Sequence, residues 1–206
     1  MSSHHFVKEN QEPALIILNL EGLTFETVAP LLEWVPTVLV TDKTIDKVIS
    51  WGIKVDVILA SETFQRENLN LLEEQYPVRF MTVSNKEYLD EGLQYLLASK
   101  HSAVNIIGFD HQKVFDLTPK MDYLNLVVWD GPMRYFPVKN GKLKKYFSDG
   151  SLQIHASEDS FVEIVSAEGS ELIQIKHATF VEIEEGMVEF KAKELFWVGE
   201  LQGVNP

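Results

Sequence analysis

The sequence predicts an α/β domain, a mainly parallel sheet flanked by helices, followed by a small antiparallel β-sandwich or barrel. Three observations carry this. From Ala14 to Trp129 short apolar runs alternate with amphipathic stretches, the pattern of βα units. After Asp130-Gly131 the texture changes to short alternating runs. Within that second part Asn140-Gly141 and Asp149-Gly150 are the dipeptides that favour tight hairpin turns. The boundaries follow as 1–130 for the α/β part and 131–206 for the β part.

Taken in order, the strands of the first part are ALIILNL (14–20), TVLV (37–40), DVILA (56–60), VRFMTV (78–83), AVNIIGF (103–109) and YLNLVVW (123–129). Several are apolar on nearly every residue, as strands covered on both faces are. Between them, residues 24–35, 43–53, 64–76 and 86–100 space their apolar positions helically and predict four helices. Pro30 either kinks the first or delays its start. In the second part the runs MRYFPV, LKKYF, LQIHA, FVEIVS, ELIQIK, TFVEIEEG, MVEFKA and ELFWVGEL predict antiparallel strands, the last of them buried. Lys139, Lys142, Lys144 and Lys145 fall in one hairpin, which suits a solvated, lysine-protected edge strand better than a phosphate patch.

The 206 residues are enough for one large domain or two small ones. Lys and Arg number 18 against 31 Asp and Glu, a formal net charge of -13, which disfavours nucleic acid and anionic membranes as partners. Cysteine is absent, and no stretch is long and apolar enough to span a bilayer, so a cytoplasmic protein is expected. No P-loop, dinucleotide fingerprint, zinc spacing or nucleophile elbow is present.

In an open α/β sheet ligands bind at the carboxyl ends of the strands, so the residues that leave each strand matter most. The second strand leaves into Asp42, which suits an N-cap first and a nucleotide site second. The third leaves into Ser61, Glu62 and Thr63, any of which starts a helix; Glu62 is the one carboxylate there and a metal candidate. The fifth leaves into Asp110-His111-Gln112-Lys113, where Asp and His suit a metal or an acid-base pair and equally a solvated turn. Asp56 precedes the third strand, at the remote end, and is expected to cap or pair locally. His4, His5, His101, His155 and His177 lack ligand spacing. Trp34, Trp51, Trp129 and Trp197 read as core or interface anchors.

With ALIILN, VTDKTIDKVISWGIKVDVILAS, EGLQYLLASKHSAVNIIG and WDGPMRYFPV in this order, the sequence resembles the thiamine pyrophosphokinase family. The resemblance implies a homodimeric enzyme that moves a pyrophosphoryl group from ATP to the hydroxyl of thiamine. Acidic strand tips would hold Mg²⁺ and the triphosphate, and the partner's β domain would help bind thiamine. It assigns Asp42, Gly108 and Lys113 to the nucleotide and Glu62, Asp110 and Asp116 to the metal, with Glu87 and Asp90 as possible substitutes.

The sequence departs from the family at the tips. Where the family has G-D-x-D-S, this chain has Ala60-Ser61-Glu62-Thr63-Phe64; where it has D-x-T-D, this chain has Asn85-Lys86-Glu87-Tyr88. After the fifth strand Gly108 and Lys113 match, while the family's other glycines and its Asp-His pair do not. The Ser-Asn-Glu loop for thiamine is shortened. Three readings follow: a diverged member with weak or no transferase activity, a working kinase with an altered site of Asp42, Glu62, Glu87, Asp110 and Asp116, or a non-catalytic dimeric binding or scaffold protein.

Overall fold

Strand β1 (Ala14–Ile17) is buried along its whole length and lies between β2 (Val38–Thr41) and β5 (Ala103–Ile107), both parallel to it. β3 (Val57–Ala60) and β4 (Arg79–Thr82) extend the sheet beyond β2, and β6 (Asn125–Asp130) extends it beyond β5, all parallel. The spatial order is β6-β5-β1-β2-β3-β4. β1, β2 and β3 bury every residue, which is why they read as unbroken apolar runs. β4 is the edge strand and correspondingly less buried. This computed structural model describes residues 12–85, 87–176 and 179–202, and the chain divides into two units, 1–131 and 132–206.

The helices of the first unit are shorter than the periodicity predicts. α1 (Phe25–Val28) gives way to a 3₁₀ turn over Ala29–Leu32, with Pro30 at its start, so the proline changes the helix type instead of simply delaying it. α2 spans Ile45–Ser50 and α5 spans Tyr88–Ala98. The single helix expected over 64–76 is two: α3 (Glu62–Glu67) and α4 (Leu71–Glu74). Ser61 Oγ accepts the Phe64 amide and starts α3 early. Asn68 ends it, its side-chain amide donating to the Phe64 carbonyl at 2.8 Å and competing with the next helical bond. The stretch Asp110-His111-Gln112-Lys113, which suits a solvated turn, opens a longer 3₁₀ segment over His111–Lys120.

Trp129 is buried in the first core and Trp51 packs against it, its ring meeting Phe25 edge-on at 6.1 Å. Trp34 is not a core anchor: it is 68% exposed, beside Val35 whose φ of 52° turns the chain away from the core. Asp56 pairs locally as expected, accepting the Val38 amide at 2.8 Å.

The second unit has two antiparallel four-stranded sheets. One is ordered β12 (Thr179–Ile183), β9 (Gly150–His155), β14 (Phe196–Leu201), β7 (Met133–Val138), and the other β11 (Gly169–Gln174), β10 (Phe161–Ser166), β13 (Gly186–Lys191), β8 (Lys142–Phe147). Leu152, Ile154, Phe196 and Val198 from the first share one core with Phe147, Val162, Ile164, Val188 and Phe190 from the second. This alternation of inward residues makes a sandwich. The lysine-bearing β8 is an edge strand, as its composition suggests. Lys145, however, turns to the Glu200 carboxylate, with the Phe136 and Phe147 rings 5.2 and 4.9 Å away. No described helix is long and apolar enough to cross a membrane.

Candidate functional site

At the exit of β2 the chain reads Thr41-Asp42-Lys43-Thr44, and Thr44, not Asp42, occupies the N-cap position of α2, without a side-chain bond to the helix. Thr44 is buried; its Oγ accepts the Thr41 amide at 3.1 Å and donates to the Ile17 carbonyl at 3.1 Å, tying the exits of β1 and β2 together. This corrects the expectation that Asp42 caps a helix. Its two carboxylate oxygens instead accept the Tyr88 hydroxyl, at 2.9 and 3.1 Å. Burial of the phenol, reinforced by the Asp42 bond and charge, pushes the Tyr88 pKa up to about 12. Lys43 Nζ lies 5.6 Å from the same ring.

A cavity of about 230 Å³ opens at this edge. Leu18 and Thr41 line it from the ends of β1 and β2, Phe109 from the end of β5, and Glu87 to Asp90 from the start of α5. Glu87 is exposed and its side chain caps nothing; Asp90 is ion-paired with Lys120 at 2.7 Å. Lys86 lies outside the described residues.

The β3 exit contributes least. Glu62 is 71% exposed and pairs with Arg66 one turn along α3 at 3.1 Å, while Ser61 caps the helix. The reading of Glu62 as the start of a helix accounts for it fully.

Adjacent exits of β5 and β6 bring together, among the described residues, two acids and a histidine. Gly108 has φ +74°, and a Cβ there would lie 2.2 Å from the Asn19 carbonyl oxygen. Glycine is therefore required by chain packing, and the Gly108 amide is already given to the Trp129 carbonyl at 2.7 Å. Beyond it, Asp110 Oδ1 accepts the Gln112 amide at 3.0 Å, which holds the Asp110 carboxyl below its ordinary range, with Lys113 at 3.5 Å adding to the effect. His111 donates its backbone amide to Asp130 Oδ2 at 3.0 Å, and its Nδ1 lies 2.6 Å from the same oxygen.

One ligand atom each from Asp110, His111 and Asp130 lie within 4.8 Å of one another, within reach of one cation. Asp116 is exposed on the 3₁₀ segment and does not join this group. Lys113 reaches Asp110 and no other acid among the described residues. The expected site residues thus separate into three clusters: Asp42 with Tyr88, Glu62 with Arg66, and Asp110 with His111 and Lys113.

Two members of the site, Tyr88 and Asp130, carry roles that the reading of strand exits misses. Tyr88 donates its hydroxyl to an acid at a neighbouring strand exit. Asp130 marks the end of β6, and its meeting with His111 depends on β5 and β6 being neighbours. The Asp at the end of an apolar strand was the available signal.

No family model and no curated protein matches the chain. Solved structures do. Thiamine pyrophosphokinase from Bacillus subtilis matches with a TM-score of 0.70 at 11% identity, over 93% of this chain and 99% of the other. Thiamin pyrophosphokinase from Geobacillus thermodenitrificans gives 0.69 at 8% identity, over 93% and 99%. The yeast thiamin pyrophosphokinase gives 0.61 at 10% identity, over 97% and 89%. The chain therefore has the fold of these thiamine pyrophosphokinases, at 8–11% sequence identity.

Proposed function

We propose that this chain is a diverged thiamine pyrophosphokinase-like protein that keeps a small-molecule cleft at the carboxyl edge of its parallel sheet and has lost efficient pyrophosphoryl transfer. The observation that carries this is Glu62. It is the sole carboxylate at the β3 exit, and it is exposed and neutralised by Arg66.

Pyrophosphoryl transfer depends on positioning a triphosphate and neutralising its charge with Mg²⁺, which asks for several oxygen ligands in near-octahedral order. The acids of this chain do not fit that ion. Glu62 stands apart, both oxygens of Asp42 hold the Tyr88 hydroxyl, Asp90 is paired with Lys120, and the closest-set group contains an imidazole. Gly108 offers no spare amide to a phosphate.

The cleft that remains is small. About 230 Å³, lined by Leu18, Phe109, Tyr88 and Lys43, suits a single heteroaromatic ring such as one of thiamine's, and falls below the usual size of a site for a complete nucleotide. Dimer formation, expected from the resemblance, belongs to the same proposal.

The test is calorimetric titration of the purified protein with thiamine and with a non-hydrolysable ATP analogue, each with and without Mg²⁺, together with an assay for thiamine diphosphate and AMP. The expected result is binding of thiamine or a close analogue, no Mg²⁺-dependent nucleotide binding, and no product above background. Mg²⁺-dependent nucleotide binding with product formation overturns the loss of transfer. Absence of heat with every small molecule overturns the cleft.

A further inference from the structure

The group at the ends of β5 and β6 has a donor set of a different kind from the acids around it. Asp110 and Asp130 supply oxygens and His111 supplies a nitrogen, one atom of each lying within 4.8 Å of the others. The fold brings them there from two adjacent parallel strands, at the edge where open α/β sheets bind their ligands. His111 is held by Asp130 at two points, through its backbone amide and through Nδ1, so its ring is oriented before any ion arrives. An ion seated between Nδ1 and Asp130 Oδ2 replaces the hydrogen of that contact, since ligands bind metals in their deprotonated form.

We propose that Asp110, His111 and Asp130 form a site for a borderline first-row divalent cation, represented by Zn²⁺, and discriminate against Mg²⁺. Mg²⁺ takes oxygen ligands and keeps much of its water, whereas imidazole nitrogen is a preferred donor for Zn²⁺ and its neighbours. Zn²⁺ binds nitrogen and carboxylate oxygen at about 2.0–2.2 Å, which places neighbouring donors roughly 3–3.5 Å apart. The 2.6 Å contact between His111 and Asp130 opens slightly to admit the ion, and Asp110 closes toward it. Asp110 has room for that adjustment, its side chain being 44% exposed. Three protein ligands leave a fourth position for water or a ligand atom.

Lys113 opposes the ion. Its ammonium lies 3.5 Å from Asp110 Oδ2 and is 64% exposed, so it neutralises one ligand without being built into the core. Removing it leaves the cation without a competitor. That gives a variant whose expected effect is a gain, which misfolding cannot imitate.

The inference rests on the reading that this sheet edge keeps a ligand site after losing its Mg²⁺ ligands, and its test uses the metal alone, without thiamine or nucleotide. The full chain is titrated with Zn²⁺ and with Mg²⁺ by calorimetry, and Co²⁺ is used as a visible-absorbing substitute. The expected result is one Zn²⁺ per chain, with Mg²⁺ at least a hundredfold weaker. Asp130→Asn and His111→Gln each weaken Zn²⁺ at least tenfold and reduce the Co²⁺ visible bands, with helix and strand content retained. Lys113→Met tightens Zn²⁺ severalfold.

Zn²⁺ binding unchanged in His111→Gln assigns the heat to the other five histidines, His4 and His5 among them, and overturns the proposal. Mg²⁺ binding as tight as Zn²⁺, or no metal binding in either the parent or Lys113→Met, overturns it equally. None of these outcomes alters the thiamine and nucleotide titrations, so failure of the metal site is separable from failure of the proposed function.

Discussion

Tyr88, the first residue of α5, donates its hydroxyl to both carboxylate oxygens of Asp42, the residue that follows β2, at 2.9 and 3.1 Å across 46 positions of sequence. The bond fixes the entry of α5 against the exit of β2 and engages the one acid at that strand tip.

Tyr88→Phe should therefore destabilise the fold by about 1–2 kcal/mol at neutral pH, since it leaves a half-buried carboxylate without its donor. The sign of the pH dependence follows from the raised pKa. Its stabilisation is complete below the ordinary tyrosine pKa of 10.0 and is lost as pH rises through about 12. Denaturant unfolding of both proteins at pH 7 and above pH 10 checks this: the gap between them should narrow at the higher pH. A gap that is constant or widens contradicts the assignment.

Glu62→Gln should change stability by less than about 0.5 kcal/mol, because an exposed pair one helical turn apart contributes little. Binding of thiamine should be equally unaffected. A loss of Mg²⁺-dependent ligand binding in this variant would place a working metal site at the β3 tip and contradict the proposed loss of pyrophosphoryl transfer.

Gly108→Ala should be among the most damaging single substitutions in the first unit. It combines a left-handed backbone with a Cβ 2.2 Å from the Asn19 carbonyl, and the neighbour that must yield is backbone. A cost above about 3 kcal/mol, or failure to fold, is expected from the thermal melt. A near-parental melting temperature would show that the β1 and β5 exits are free to separate.

His101 is buried, with Nδ1 3.0 Å from Ser99 Oγ and Nε2 3.0 Å from Thr37 Oγ. Burial lowers its pKa below the ordinary 6.5. Its contribution is thus present above pH 6.5 and lost as pH falls through the depressed value. Melting temperatures measured between about pH 7.5 and 5 should fall more steeply for the parent than for His101→Gln. Parallel curves would show that the ring does not govern acid sensitivity.

The division of the chain into parallel and antiparallel parts was legible because two periods, one helical and one alternating, occupy different stretches of the sequence. Strand positions were legible for the same reason. β1, β2 and β3 announce themselves as unbroken apolar runs, and β14 as the most apolar run of the second part. Helix lengths were less so. Asn68 ends α3 through a side-chain bond that apolar spacing does not register. The site was legible only in pieces. Sequence marks Asp42, Glu62 and Asp110 as acids at strand exits, yet whether each caps, pairs or faces a neighbour depends on which strands are adjacent. His111 and Asp130 meet because β6 lies beside β5, and Asp42 faces Tyr88, 46 positions away, instead of the start of α2.

In the second unit β14, the last of the described strands, pairs with β7 on one side and β9 on the other. β7 and β9 are therefore not joined to each other until β14 slots between them. During synthesis that pairing must wait for residues 196–201 to leave the ribosome, after both of β14's partners have done so. A nascent chain halted before β14 should remain open to proteases from about residue 132 onward, while β1 to β6 are already paired with one another.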